Sequence, residues 1–270
     1  MMYLIEPFQY AFMQKAAVAS ILSGLLCAVV GVYVVLRRMA LVGDALTHGA
    51  FPGMVIAYLI RGNLFLGATV AALITALGIG AFARKRSVYE DTAVGVTVSA
   101  MFAFGVLLMS YTQSYRDLSS MLFGNILGVT TVDLILLGVV TIGVIGTLFL
   151  YEKELILFSL DPTYAESIGI SVHFLRSLIL TLLALTTVAG IVVVGTVLTT
   201  ALLVTPAACA RLLTKSFKPM MRIASIVGVG SCLGGLYLSY YVGVSSGAAI
   251  VLIATTFFGL AFIWKTVRGE

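Results

Sequence analysis

The sequence predicts an all-α fold, a polytopic integral membrane bundle of about nine helical spans. Three observations carry that expectation. The 270 residues are 61% hydrophobic and only 10% charged, with a mean hydropathy of +1.14, whereas a soluble domain is about 25% charged. The apolar runs approach the ~20 residues that a hydrocarbon core demands, and they are not the alternating ~10-residue segments of an outer-membrane barrel. The charged residues fall mainly between those runs. Together these place one transmembrane domain over residues 1–270.

In chain order the predicted spans are 16–36, 40–60, 64–83, 92–110, 132–151, 178–196, 197–214, 221–242 and 246–264. The stretch before the first, MMYLIEPFQYAFMQK, lacks the basic region and small-residue cleavage site of a signal peptide, so no cleaved leader is expected. The run from 178 to 210 carries no charge and exceeds one ordinary span; Gly190 and Gly195 near its middle divide it in two. Residues 111–131 mix polar groups with a short apolar stretch that could form a partial or re-entrant helix, so eight or ten spans also fit. Residues 152–177 read as a loop holding a short helix. Asp161 is its N-cap, Pro162 takes the first helical position, Glu166 follows in the next turn, and Gly169 stops it.

The basic residues orient the bundle. Arg37, Arg38, Arg84, Lys85, Arg86, Lys153, Arg176, Arg211, Lys215, Lys218, Arg222, Lys265 and Arg268 fall on one side, and Lys15, Arg61 and Arg116 on the other. That is 13 against 3, all 16 Lys and Arg of the chain, which makes the first side cytoplasmic, with the N-terminus outside and the C-terminus inside. The net charge of +5 is thereby explained as loop charge, and no nucleic-acid partner is expected. Cys27, Cys209 and Cys232 lie within apolar segments without CxxC spacing, as buried thiols do.

Ionisable groups within spans are costly and mark ion or proton paths by default. Asp44 and His48, four residues apart, share one helical face. A carboxylate with a neutral imidazole suits a first-row divalent cation, yet the same pair could bond to each other or cap a helix beginning near Ala40. Two ligands are too few for a closed site, so a second copy or another helix would have to contribute. Glu90 and Asp91, at the head of the fourth span, are candidate oxygen ligands, although acids at a helix N-terminus are stabilised by the macrodipole anyway and capping is the favoured reading. Pro52, with Gly49 and Gly53, permits a bend or close packing. The GxxxG spacings at Gly124 and Gly128 and at Gly230 and Gly234 read as helix-packing positions, and His173 as a solvated loop residue. There is no Walker A sequence and no HExxH. The chain is therefore expected to be no enzyme, and any ATPase that drives it must be another polypeptide.

Four blocks, VVLRRMALVGDALTHGAFPGMVIAYL, YEDTAVGVTVSAMFAFGVLL, LDPTYAESIGIS and VVVGTVLTTALLVTPAACARLL, resemble the permease subunit of bacterial ABC importers for zinc, manganese or iron. They occur in that family's order and span most of the chain. The resemblance implies a type II ABC-importer-like bundle in the bacterial cytoplasmic membrane, working by alternating access. Its partners would be a second permease copy or a paralogue, two cytoplasmic ABC ATPases and an extracytoplasmic metal-binding protein. It places the metal site at Asp44 and His48, with the transported manganese, zinc or iron as cargo and no permanently bound cofactor. It makes the loop 152–177 the carrier of an ATPase-coupling helix with Asp161, Pro162, Ala165, Glu166 and Gly169, where Ala165 and Gly169 occupy small-residue positions. Thr47 and Gly49 flank the histidine where relatives often carry serine and alanine. An ion-gradient-driven secondary metal transporter is the alternative, but it would ordinarily show paired broken helices in related halves, and no internal repeat is visible.

Overall fold

The computed structural model describes residues 9–82, 89–110 and 126–268. Its helices are α1 (Ala11–Leu36), α2 (Ala40–Leu59), α3 (Leu64–Phe82), α4 (Glu90–Ser110), α5 (Thr131–Leu150), α6 (Glu152–Leu160), α7 (Pro162–Ser167), α8 (Val172–Val194), α9 (Thr196–Leu213), α10 (Phe217–Val242) and α11 (Ser246–Val267). Nine of them, all but α6 and α7, are long and apolar enough to cross a membrane. The predicted partial helix at 111–131 lies mostly outside the described residues. Its described end is a single 3-10 turn, Ile126–Gly128, followed by a reciprocal cap in which Asp133 N–H donates to Thr130 Oγ1 (3.2 Å) and Thr130 N–H to Asp133 Oδ2 (3.0 Å). The basic stretch at 84–86 and Arg116 also lie outside the described residues.

Several span boundaries differ from the sequence reading: α1 begins at Ala11 and not at 16, α10 at Phe217 and not at 221, and α8 at Val172 and not at 178. The loop expected over 152–177 ends at Ser171, whose hydroxyl accepts from Phe174 N–H (3.4 Å), so α8 begins at Val172. The residues between carry polar groups yet keep helical hydrogen bonding, which hydropathy alone does not register. The same loop also contains α6, which was not anticipated. It forms because Leu155 and Phe158, three apart, are buried against the bundle. The division of the 178–210 run falls at Gly195, whose φ of 92° and ψ of 166° are open essentially to glycine alone. Gly190 instead stays inside α8.

α1, α2 and α8 form the interior, while α4, α5 and α11 lie at the periphery. α1 is covered by α5, α8, α9 and α10; α2 packs on α3 and α4 and touches α8 and α9; α11 closes against α9 and α10. Lipid tails are as apolar as leucine, so such helices associate through close packing and not through water release. Glycines make the approach: a Cβ at Gly53 would collide with the Gly67 carbonyl on α3, and one at Gly228 would stand 2.7 Å from the Gly24 carbonyl on α1. On α10 the packing positions are Gly228 and Gly235, not the GxxxG pair. Gly230 faces open space and Gly234 meets only Ile253 at 3.4 Å, because that spacing fell on the wrong face of the helix. Gly124 is outside the described residues. The three cysteines are free and buried, as expected.

Several threonine hydroxyls within spans fold back on their own helices. Thr75, Thr97, Thr141 and Thr199 each donate to the carbonyl four residues earlier at 2.7 to 2.8 Å, which satisfies them without a partner helix.

Replacing Gly53 with valine should cost about 1–3 kcal/mol by overpacking against α3. This would appear as a lowered unfolding midpoint in detergent, whereas Gly230→Val should leave the midpoint unchanged.

Candidate functional site

α2 begins at Ala40, after a corner in which Arg38 adopts a left-handed φ of 56°. Arg38 N–H bonds to the Val35 carbonyl (3.2 Å) and Met39 N–H to that of Val34 (2.8 Å), which closes α1. From Ala40, Asp44 and His48 stand about 6 and 12 Å along the helix. Their side chains converge, with Asp44 Oδ1 4.0 Å from His48 Nε2. That is too long for a hydrogen bond. Metal–ligand bonds of about 2.0–2.2 Å at a tetrahedral angle set two donor atoms about 3.4 Å apart, so a side-chain rotation that closes the gap by roughly half an ångström lets both reach one cation.

The surroundings hold the pair in place. Thr47 hydroxyl donates to the Asp44 carbonyl at 2.6 Å, and the Phe102 ring of α4 meets the imidazole edge-on, centroids 5.5 Å apart. Phe102 also contacts Phe51, and Gly105 makes room, since a Cβ there would strike the Phe51 ring. Pro52 has no N–H to give the His48 carbonyl, so that oxygen lacks its ordinary helical partner. Phe102 is a site neighbour that sequence reasoning missed; an aromatic 54 residues downstream carries no local signal of it.

Both side chains face out of the chain: 58% of the Asp44 side chain and 38% of that of His48 are exposed, and Leu41 beside them is equally open. Among the described residues no three His, Cys, Asp or Glu side chains gather into a metal site. Asp91 stands exposed in the first turn of α4, eleven residues before Phe102 and hence about 16 Å below the level of His48 along the helix. Glu90 opens α4, but its side chain lies outside the described residues. The structure therefore joins Asp44 to His48 and does not bring Asp91 to them.

The second constellation is α7. Asp161 caps it, accepting from Tyr164 N–H at 2.9 Å, and Pro162 occupies the first position. Gly169, with φ of 85°, ends it: its N–H bonds to the Glu166 carbonyl (3.0 Å) and Ile170 N–H to that of Ala165 (3.1 Å). Every element read from the sequence is present. Ala165, however, is fully buried against its own chain, so its small size seats α7 on the bundle and leaves Tyr164 and Ile168 as the apolar groups turned outward. Glu166 and Gly169 are exposed as well. His173 is exposed at the start of α8, in keeping with the solvated reading.

A long-range contact joins the corner that precedes α2 to α6, the helix before α7. Arg37, at the end of α1, donates from Nη1 to the Phe158 carbonyl of α6 (3.0 Å), and its guanidinium lies 3.9 Å from the centroid of the Phe158 ring. By sequence alone Arg37 is a boundary charge, and this contact carries no local signal.

The profile of the ABC 3 transport family matches residues 9–265. The chain belongs to the ABC 3 transport family. The manganese transport system membrane protein MntC of Listeria monocytogenes is 41% identical over 269 residues, covering 100% of this chain and 96% of the relative. A probable iron transport system membrane protein of Haemophilus influenzae is 36% identical, with 98% of each chain covered. Among solved structures, PsaBC from Streptococcus pneumoniae in complex with a Fab matches with a TM-score of 0.88 and 33% identity, over 97% of this chain and 94% of that one. The nine spanning helices among the described residues agree with membership of the ABC 3 family.

Asp161→Ala should remove the α7 cap at a cost of about 1 kcal/mol. The expected result is faster amide exchange over residues 162–167 than in the unsubstituted chain, with the spans unaffected.

Proposed function

We propose that this chain is the permease subunit of an ATP-driven importer for a divalent transition metal, and that the cation passes Asp44 and His48. The observation that carries this is the outward face of α2. A carboxylate and an imidazole are presented away from the chain on a spanning helix, where lipid contact would be expensive. Two ligands also leave a cation mostly unsatisfied. A second permease, a copy of this chain or a paralogue, resolves both difficulties. It covers the face and adds its own pair, so that four borderline ligands enclose a pathway that holds a metal briefly and releases it. Manganese and iron are favoured by the names of the relatives, and zinc by donor chemistry as much as either. The permease itself performs no covalent chemistry; its ligands replace part of the cation's hydration shell.

In this reading the arginine-rich side, with α6 and α7, faces the cytoplasm. The N-terminus then lies outside, where a metal-binding protein delivers the cargo. Two ABC ATPases dock on the two copies of α7 through Tyr164 and Ile168. Closure of the ATPases moves α6 and α7, and Arg37 transmits that displacement from Phe158 to the corner that launches α2, seven residues before Asp44. The pathway thereby changes the side to which it opens.

Liposomes holding the permease with its ATPase and binding protein should lose metal uptake on the order of tenfold or more with either Asp44→Ala or His48→Ala, while the complex still assembles. Uptake at unchanged rate in both variants would overturn the site. Transport by the permease alone, down an imposed ion gradient, would instead select the secondary-transporter alternative. For the docking helix, Tyr164→Asp with Ile168→Asp should abolish stimulation of ATP hydrolysis by loaded binding protein without changing metal binding to the isolated permease. Undiminished stimulation would dismiss α7 as the contact.

A further inference from the structure

A groove of about 450 Å³ runs between α5 and α10 with α1 as its floor. Its character changes along its length. Leu25 and Val29 of α1 and Ile145 and Phe149 of α5 line an apolar trough, whereas Lys218 and Arg222 of α10 stand at the end nearest the arginine-rich side. From the level of Tyr33, at that end, to Leu25 is eight residues, or about 12 Å, a large part of one leaflet of a hydrocarbon core about 30 Å thick.

The two cations are four residues apart on one face of α10, a spacing that brings side chains together. Both are exposed, and among the described residues neither has an ion-pair partner. They sit in the first turns of a 26-residue helix whose N-cap, Ser216, makes no side-chain capping bond, so the positive end of the helix dipole adds to their field. One carboxylate, Glu152, shares the lip, leaving the mouth net positive and offering an acceptor to a hydroxyl. By contrast, a larger groove between α2 and α3, lined by Ile56, Ile60 and Leu66, has no charged side chain at all.

We propose that the α5–α10 groove is a binding site for an anionic phospholipid of the phosphatidylglycerol type. The phosphate rests on Lys218 and Arg222, a headgroup hydroxyl donates to Glu152, and an acyl chain lies in the trough over Val29. Basic pockets between spanning helices at the membrane boundary select acidic lipids in this way. A docking protein with an acidic surface would use the charges but has no use for a trough that deep in the bilayer. The site depends on the chain's being a membrane bundle and not on which cargo it carries.

Native mass spectrometry of the full-length chain in detergent, titrated with palmitoyl-oleoyl phosphatidylglycerol or with the phosphatidylcholine of the same chains, tests it. The expected result is preferential retention of phosphatidylglycerol. That preference should fall about fivefold for each charge removed in Lys218→Gln and Arg222→Gln, and should be unchanged in Lys265→Gln with Arg268→Gln. Ile145→Trp, which fills the trough and leaves the cations intact, should also weaken retention. Equal retention of the two lipids, full retention in the doubly neutralised variant, indifference to Ile145→Trp, or displacement by glycerol phosphate as effective as by lipid would each overturn the proposal.

Discussion

The three glycines of α2 each stand where a side chain would strike a neighbour: Gly43 against Leu203, Gly49 against Thr75, and Gly53 against the Gly67 carbonyl. At 100° per residue these positions occupy one half of the helix, and Leu41, Asp44 and His48 occupy the other. In a bilayer, where apolar burial does not itself drive helix association, such backbone contacts are what hold α2 at a fixed depth and rotation. The outward presentation of Asp44 and His48 is a consequence. With the inner half committed to contact with α3 and α9, the remaining face is the only one available to polar groups.

The connections at the ends of α2 obey a second constraint, that chain reversals in a membrane protein occur where backbone can be solvated. Arg38 and Arg61 both take left-handed conformations, with φ of 56° and 52°, at positions where glycine is the usual choice. An arginine there costs on the order of 1–2 kcal/mol of backbone strain, but it keeps a charge at the boundary and so resists slippage of the helix into lipid. Next to Arg38, Arg37 turns inward, and its bond and stacking to Phe158 couple this corner to α6. The fold thus ties the corner that precedes α2 to α6 through one hydrogen bond and one stacking contact.

Much of this was legible from composition and punctuation. The spans were visible because a bilayer tolerates few alternatives to long apolar helices, and the cap, first-position proline and terminal glycine of α7 are local signals that act within a few residues. Asp44 and His48 stood out because an ionisable pair is rare in such a background. What was misread depended on faces. The GxxxG of α10 makes little contact, with Gly230 facing open space and Gly234 meeting only Ile253, while Gly228 and Gly235 make the close approaches. Spacing tells which residues share a face but not which neighbour that face meets.

The sequence by itself determined that the chain is a bundle of long apolar spans, that a break falls in the uncharged run between 178 and 210, and which residue types are available for a cation, because these follow from hydropathy, backbone sterics and donor chemistry that are local to the chain. Only the tertiary structure decided that Asp44 and His48 face outward with Phe102 at their edge, that Arg37 binds α6 across 121 positions of sequence, and that Lys218 and Arg222 open onto an apolar trough. Those facts arise from which helix packs on which, and that choice is made by the fit of side-chain volumes between segments far apart in the chain.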